Sequence, residues 1–302
     1  MPTRQGAIED RTDLGTVVEL VVGPRLRPLE GVTVNRVWPT PRRRLIGPFI
    51  FLDHLQPVEL PAGEGLDVPP HPHIGLATVT WLFEGELMHA DSLGIRQAIR
   101  PGELNWMTAG RGITHSERTT DEERARRSRL HGVQVWVALP RDVESAAPTF
   151  EHVAAVDLPV IETEDARLTL IAGEAYGGKA PVATASRLFY LEARLRAGAS
   201  VDFPPELGER GVYIVAGAVE IDGYAYGAGR ILVLAAARAC RIRAPEPATL
   251  MLLGGAALEG DRAIWWNFVA CDAAAIEAAK ADWAEGRFAG VPGDDERMSM
   301  PA

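Results

Sequence analysis

The sequence has little cysteine and no long apolar run, and each absence excludes a class of protein. Only Cys240 and Cys271 occur among the 302 residues, and their spacing resembles no metal or redox motif, so we expect no disulfide scaffold. The N-terminal stretch MPTRQGAIEDRTDLG lacks an apolar core of signal-peptide length, and no window approaches a membrane span. We therefore expect a cytoplasmic protein without a membrane partner.

Positive charge is also scarce, because 31 Lys and Arg face 41 Asp and Glu and give a formal net charge of −10. Phosphate binding needs clustered basic side chains, so we expect no direct nucleic-acid partner. One dense basic run, residues 124–129, directly follows Asp121-Glu122-Glu123. We interpret it as a solvated loop whose charges compensate one another, with a local anion or partner site as the alternative.

Short runs of β-forming residues, separated by Gly, Pro and Asp, make up most of the first 250 residues. Examples are GVTVNRVW, IGPFIFLDH, LATVTWLFEG, VQVWVAL, RLTLIAG, RLFYLEARL and RILVLAAA. A helical pattern occurs only near residues 272–288, where Asp272 is a suitable N-cap. The pattern predicts an all-β protein, a barrel or sandwich, with a C-terminal helix.

A weak internal repeat indicates two barrels in tandem. Residues 80–107 and 212–234 share one layout, in which three strands are separated by glycine turns at Gly85 and Gly102, and at Gly217 and Gly229. The repeat and the chain length together favour two antiparallel β-barrels. We predict an N-terminal domain of residues 1–140 and a C-terminal domain of residues 141–302 that includes the helix.

Two pairs of polar residues carry the candidate chemistry. His71 and His73 flank a proline where a loop becomes a strand, and their spacing of two places both side chains on one face. His115 and Glu117 have the same spacing, directly after the glycine-rich turn TAGRG. If the two strands are neighbours in a barrel, three imidazoles and one carboxylate converge.

Such a set suits a divalent first-row metal with open positions for water, substrate or O₂. A closed structural zinc site would more often recruit cysteine, and neither cysteine lies in the first barrel. A purely structural metal is disfavoured for a second reason, because a barrel of this size has an ample core without one. Spacing alone leaves the metal open among Fe, Mn, Co, Ni, Cu and Zn.

Three stretches identify a family resemblance: PHPHIGLATVTWLFEGELMHADSLG, RPGELNWMTAGRGITHSE and HGVQVWVALP. They resemble the pirin family of the bicupin superfamily, and RAIWWNFVA, DWAEGRF and VPGDD are similar to the family's C-terminal segment. The resemblance implies two antiparallel cupin barrels packed face to face, with one Fe(II) in the N-terminal barrel. Its metal ligands would be His71, His73, His115 and Glu117.

The sequence departs from the family pattern at two positions. Ile74 stands where many pirins have arginine, which puts a substrate contact of that side chain in doubt. Ala77 stands where many have glutamate, so Glu117 is the one candidate carboxylate ligand. Neither departure alters the predicted metal ligands.

The second barrel lacks the metal-binding residues. Counting from Gly217 by the offsets that separate Gly85 from the first histidine pair gives Phe203 and Pro205. Ile242 and Ala244 take the places of His115 and Glu117, and no histidine follows His152. We expect no metal in the C-terminal barrel.

For most of the remaining polar residues near the motifs, we favour a structural role over a functional one. We interpret His54 and Asp53 as turn residues, with a place at a cavity mouth as the alternative for His54, and His89 as surface or structural. His131 and Gln134 are candidates to orient a metal ligand. The tryptophans at positions 81, 106 and 136 are assigned to the core, and those at 265 and 266, with Phe268, are expected to join the second barrel to the helix.

Two functions remain open at this stage. The first is a metal-dependent dioxygenase with quercetinase-like activity, as the resemblance implies, in which Glu117 would be a metal ligand and catalytic base for a small aromatic enol or flavonol that reacts with O₂. The second is a regulatory protein that binds a transcription factor or metabolic enzyme according to the oxidation state of iron.

Overall fold

The computed structural model describes residues 9–10 and 16–301, and β-strands dominate it as predicted. The strands up to residue 153 are β1 Glu9–Asp10, β2 Val18–Val22, β3 Arg25–Leu29, β4 Val32–Trp38, β5 Phe49–Leu60, β6 Asp67–His73, β7 Leu76–Glu84, β8 Leu87–Asp91, β9 Arg96–Ile99, β10 Leu104–Thr108, β11 Ile113–Thr119, β12 Ser128–Ala138 and β13 Thr149–Val153.

The later strands are β14 Val160–Glu162, β15 Ala166–Ala175, β16 Gly178–Lys179, β17 Leu188–Leu195, β18 Ser200–Phe203, β19 Glu209–Ala216, β20 Ala218–Ile221, β21 Tyr224–Gly227, β22 Ile231–Leu234, β23 Cys240–Arg243, β24 Ala248–Gly255, β25 Ala263–Trp265 and β26 Phe268–Ala270. The α-helices are α1 Asp121–Arg124 and α2 Ala273–Ala284. Within the described residues, neither helix is long and apolar enough to span a membrane.

The strand order confirms the tandem repeat. One four-stranded sheet runs β6-β11-β8-β9 and another runs β18-β23-β20-β21, so the same order returns twelve strands later. The larger sheets repeat in the same way, because β10-β7-β12-β5 in one corresponds to β22-β19-β24-β17 in the other. Two antiparallel cupin barrels follow, which is the predicted fold class.

The chain divides into two compact units that differ from the predicted domains. The histidine unit comprises Arg27–Val34, Leu52–Ala155 and the residues from Glu259 onward. The histidine-free unit comprises the residues up to Leu26, Asn35–Phe51 and Val156–Leu258. A single cut at residues 140–141 does not reproduce this division, because each unit is built from segments that are distant in the chain.

The helix α2 belongs to the histidine unit. Asp272 caps it by accepting a hydrogen bond from the backbone N–H of Ala274, at 2.9 Å, as predicted. Its apolar face packs in a buried cluster formed by Ile74, Phe268, Ala270, Ile276, Ala279 and Trp283. The structure therefore groups α2, Trp265, Trp266 and Phe268 with the first barrel, whereas the sequence analysis assigned them to the second.

Each unit has its own apolar core. In the histidine unit the cluster includes Leu55, Leu82 and Leu130, and burial of one such side chain is worth about 1.5–3 kcal/mol. In the histidine-free unit the cluster includes Phe203 and Ile242. Neither core depends on a metal for its apolar burial.

Candidate metal centre

The strands β6 and β11 bring the two predicted residue pairs together. In their antiparallel register His71 lies opposite His115, and His73 lies opposite Ile113. The next pair joins Glu117 to Val68, so β6 has one more residue than β11 across this interval, which is a β-bulge. Pro69 and Pro70 occupy the bulge, where a residue without an N–H loses no ladder hydrogen bond.

The three imidazoles form a compact buried cluster. One ring nitrogen from each of His71, His73 and His115 lies within 4.8 Å of the others. The ring centroids are 4.3 Å apart for His71 and His115, 5.0 Å for His73 and His115, and 5.1 Å for His71 and His73. Cupin β-strands thus supply a candidate site with three histidine ligands.

The hydrogen bonds of these rings leave nitrogen lone pairs for a metal. His71 Nδ1 lies 2.9 Å from the Pro69 carbonyl oxygen, and His73 Nδ1 lies 3.1 Å from that of Asn267. Each Nδ1 must carry the proton, because a carbonyl oxygen only accepts. Within the described structure Nε2 of His73 and Nε2 of His115 are buried without a hydrogen-bond partner. Unpaired buried nitrogens of this kind fit an imidazole-bound divalent metal.

The electrostatic environment keeps the imidazoles neutral. Burial, followed by the neighbouring His71, lowers the pKa of His73 well below 6.5. Burial, then His71, His73 and His89, does the same to the pKa of His115. Burial also lowers the pKa of His71, partly opposed by its bond to Pro69 and by Glu117. Neutral imidazole is the form that binds metals.

Glu117 lies beside the cluster and is held by two polar side chains. The Thr80 hydroxyl donates to Oε1 at 3.1 Å, and the Gln134 amide donates to Oε1 at 3.0 Å and to Oε2 at 2.9 Å. Its carboxylate is not part of the group of three close nitrogens. It is near enough to His71 to raise the pKa of that imidazole. Gln134, predicted as a residue that orients a ligand, therefore contacts the candidate carboxylate.

His89 and Asp91 were assigned no role at the metal from the sequence, and the structure places both beside His115. The strand β8 pairs with β11 so that Asp91 lies opposite His115 and His89 lies opposite Glu117. His89 is only 5% exposed, so of its two interpretations, surface or structural, burial excludes the first. The spacing of two in His-Ala-Asp was the available signal, since it is the same spacing as in the two predicted pairs.

The two departures from the pirin pattern are buried. Ile74 is 8% exposed, packs in the cluster with Phe268 and forms an isolated bridge to it. The next residue, Gly75, has φ +69°, and a Cβ there would lie 1.9 Å from the Val269 carbonyl oxygen. Ala77 is fully buried on β7 between Thr108 and Val137. An apolar contact thus replaces the family's arginine.

His54 and His131 form a separate pair. Their Nε2 atoms are 2.9 Å apart, Gln56 contacts His54 Nδ1 at 2.6 Å, and His131 Nδ1 lies 3.9 Å from Glu84. His54 stands in the middle of the strand β5 and is 1% exposed, so its interpretation as a turn residue is wrong. The ring nitrogens of His131 face His54 and Glu84 rather than a histidine of the metal cluster.

The space beside Glu117 is small. A cavity of about 10 Å³ is lined by Thr78, Thr80, Leu87, His89, Ile99, Asn105, Met107, Glu117 and Phe150. A volume on the order of 10–15 Å³ holds a single water molecule. This cavity therefore holds no more than about one water molecule, and a bicyclic phenol fits in it only if lining side chains move.

The second barrel has apolar residues at the matching positions. Val201 pairs with Ile242, as His71 pairs with His115, and Phe203 pairs with Cys240, as His73 pairs with Ile113. The sequence-based match gave Phe203 and Pro205 as the counterparts of His71 and His73, and this register moves both counterparts back by two residues. The shift arises because the turn Pro205–Leu207 lengthens the connection after β18. None of these four positions holds a histidine.

Comparison with known proteins places this architecture in one family. The pirin profile matches residues 31–137, and the profile of the pirin C-terminal cupin domain matches residues 190–289. A pirin-like protein of Caulobacter vibrioides is 45% identical over 275 residues, which cover 90% of this chain and 95% of that one. The chain belongs to the pirin family.

Two further relatives of this pirin carry the name of an enzyme. A Pseudomonas aeruginosa protein named provisionally as a quercetin 2,3-dioxygenase is 37% identical, with 90% of this chain and 86% of that protein aligned. The crystal structure of a quercetin 2,3-dioxygenase from Acinetobacter baumannii superposes with a TM-score of 0.86 at 35% identity, covering 93% and 94% of the two chains.

Proposed function

We propose that this pirin is a metal-dependent dioxygenase of enolic substrates, with Fe(II) held by His71, His73, His115 and Glu117. The observation that carries the proposal is the cluster of three neutral imidazoles, of which two present an unpaired buried Nε2. The relatives named as quercetin 2,3-dioxygenases support a flavonol-type enol and O₂ as the reactants.

A metal bound there would supply Lewis-acid activation of an enolic hydroxyl and electron transfer to O₂. The protein's own groups would position and deprotonate the substrate. Glu117 is the candidate base, because its carboxylate borders the cavity and Thr80 and Gln134 fix its orientation. The proton of the enol would pass to a carboxylate oxygen, and the two donors would keep that carboxylate directed at the cavity.

The small cavity limits the substrate. A flavonol requires displacement of lining side chains such as Met107 or Phe150, whereas a smaller enol requires less. Phe150 lies on β13, the edge strand of its sheet, so the wall that it forms is held by pairing with β10 alone. Movement of β13 would break its pairing with one neighbouring strand.

The experiment is O₂ uptake by anaerobically Fe(II)-loaded protein on addition of quercetin, with His73→Ala and Glu117→Ala as controls. The proposal requires uptake that depends on quercetin and is lost in both variants. Binding of one Fe(II) per chain without O₂ uptake, with quercetin or with smaller enols, would refute it.

The second candidate function, a protein whose binding to a partner depends on the metal, has its own supporting observation. A cleft of about 500 Å³ is lined by residues that include Ser116 and Arg118, which alternate with His115 and Glu117 along β11. Its charged groups are five carboxylates and three guanidinium groups: Asp67, Asp121, Glu122, Asp294, Glu296, Arg96, Arg118 and Arg124. A charged cleft on strands that also carry the metal ligands would transmit a change in iron charge to a protein partner.

A further inference from the structure

A chain of hydrogen bonds runs from Asp91 through His89 to His115. Asp91 Oδ2 lies 3.0 Å from His89 Nε2, and His89 Nδ1 lies 3.3 Å from His115 Nδ1. All three side chains are buried, with 0%, 5% and 1% of their surface exposed respectively. Each bond is therefore made away from bulk water, where an unmatched donor or acceptor is costly.

The chemistry of the two ends fixes the protons along this chain. The Asp91 carboxylate only accepts, so His89 Nε2 carries the proton and donates it. If the His89 ring carries this one proton, its Nδ1 is the acceptor and His115 Nδ1 is the donor. This leaves the lone pair of His115 on Nε2, which is the atom without a hydrogen-bond partner in the described structure.

We infer that Asp91, acting through His89, sets the tautomer of His115 and so makes its Nε2 a metal ligand. Asp91 and His89 are positioning residues in this account. The inference rests on the metal site of the proposed function and is independent of the oxygenase reaction. It distinguishes His115 from His71 and His73, whose Nδ1 protons are fixed directly by backbone carbonyl groups.

The second carboxylate oxygen of Asp91 allows a substitution to reverse the donor and acceptor direction of these hydrogen bonds. Oδ1 accepts the backbone N–H groups of Leu93 and Ile95, at 2.9 and 3.1 Å, in the turn between β8 and β9. In Asp91→Asn the amide oxygen stays on these two donors, so the new NH₂ group faces His89 Nε2. His89 must then accept at Nε2 and donate from Nδ1, and His115 becomes protonated at Nε2, where it cannot bind a metal.

The test measures tautomers and metal affinity rather than activity. Imidazole ¹⁵N shifts of the metal-free full-length protein report which nitrogen of His115 carries the proton, and competition titration gives the affinity for Ni²⁺. We expect Asp91→Asn to move the His115 proton to Nε2 and to weaken Ni²⁺ binding about 10- to 100-fold. Leu93→Ala, in the same turn, is expected to change neither, because the Leu93 side chain is exposed and it is the backbone N–H of Leu93 that bonds to Asp91.

A second variant separates this role from a structural one. His89→Phe interrupts the chain, so adding Asp91→Asn to it is expected to cause no further loss of Ni²⁺ affinity. The inference would be overturned if Asp91→Asn left the His115 tautomer and the Ni²⁺ affinity unchanged. It would also be overturned if Asp91→Asn caused the same loss of Ni²⁺ affinity in the wild-type protein and in His89→Phe.

The failure of this inference can be told from the failure of the proposed function. The tautomer and its response to Asp91→Asn can be as expected while the wild-type protein consumes no O₂. That result would overturn the oxygenase proposal alone. Wild-type protein that consumes O₂ while Asp91→Asn binds Ni²⁺ normally would overturn the inference alone.

Discussion

The two units share a strand order but fill their interiors differently. All seven histidines of the sequence belong to the histidine unit, where three of them meet between β6 and β11. The corresponding strands of the histidine-free unit carry Val201, Phe203 and Ile242, all buried. The same strand order therefore encloses apolar side chains in one unit and a cluster of three imidazoles in the other.

The histidine-free unit contains a buried cation of its own. Arg210 is fully buried and lies over the ring of Phe203, with the carbon of its guanidinium 5.5 Å from the ring centroid. Its guanidinium donates to four backbone carbonyl groups, those of Phe203, Ala235, Ala236 and Arg238. A side-chain cation thus organises loops in one unit, whereas the other unit has three imidazoles that are candidate ligands for a metal cation.

The largest expected effect is on metal affinity. His115→Ala removes one of three imidazoles, so we expect a loss of Ni²⁺ affinity greater than the roughly 10- to 100-fold effect of an outer-shell partner. Its counterpart Ile242→Ala is expected to lower the free energy of unfolding by about 2–5 kcal/mol without changing affinity. Metal titration and denaturant unfolding of both variants measure this, and a loss of affinity in Ile242→Ala would break the comparison.

Replacement of the buried arginine tests the other half of the comparison. Arg210→Met leaves four carbonyl groups without their donor, so we expect the free energy of unfolding to fall by about 3–5 kcal/mol. Metal stoichiometry, measured on the folded variant by equilibrium dialysis, should not change. A variant as stable as wild type would show that Arg210 does not organise these loops.

Gly75 tests how tightly the C-terminal segment covers the histidine pair. Gly75→Ala places a Cβ 1.9 Å from the Val269 carbonyl oxygen at a positive φ, so we expect destabilisation of about 3 kcal/mol or more. Gly94→Ala is the matched control, because Gly94 also has a positive φ but no atom within 4 Å of the new Cβ. A loss on the order of 1 kcal/mol is expected there. Equal losses in thermal or denaturant unfolding would contradict the close approach seen in the structure.

The pH dependence of the free energy of unfolding tests the buried His54–His131 pair. Burial, and then His131, lowers the pKa of His54 from 6.5 to about 3. The unfolded chain therefore binds a proton below about pH 6.5 that the folded chain does not bind until about pH 3, and stability falls as the pH falls through this window. The slope for one such group is at most about 1.4 kcal/mol per pH unit. His54→Gln should flatten it in denaturant titrations, and an unchanged slope would exclude His54 as its source.

The sequence was sufficient to predict features that depend on residues close together in the chain. Alternation predicted the strands, and the spacing of two in His71-Pro-His73 and His115-Ser-Glu117 predicted which side chains share a face. The sequence did not predict which distant strands are neighbours in the sheets. The neighbouring strand β8, which brings His89 and Asp91 to His115, is set by sheet order, as is the facing pair His54 and His131.

The assignment of segments to units was missed for the same reason. The helix α2 follows the second barrel in the chain but buries Ile276 and Trp283 against the cluster that contains Ile74. Local pattern predicts that the helix has an apolar face and does not say which core that face meets. The small size of the cavity beside Glu117 depends on side chains from six strands, and no single motif encodes it.

The most direct test of the proposed metal site is X-ray absorption spectroscopy of the Fe(II)-loaded protein, which counts imidazole ligands. We expect three imidazoles and oxygen ligands in the remaining positions, from Glu117 and exchangeable molecules. Two or fewer imidazoles, or a sulfur ligand, would contradict the assignment of His71, His73 and His115 as the metal site.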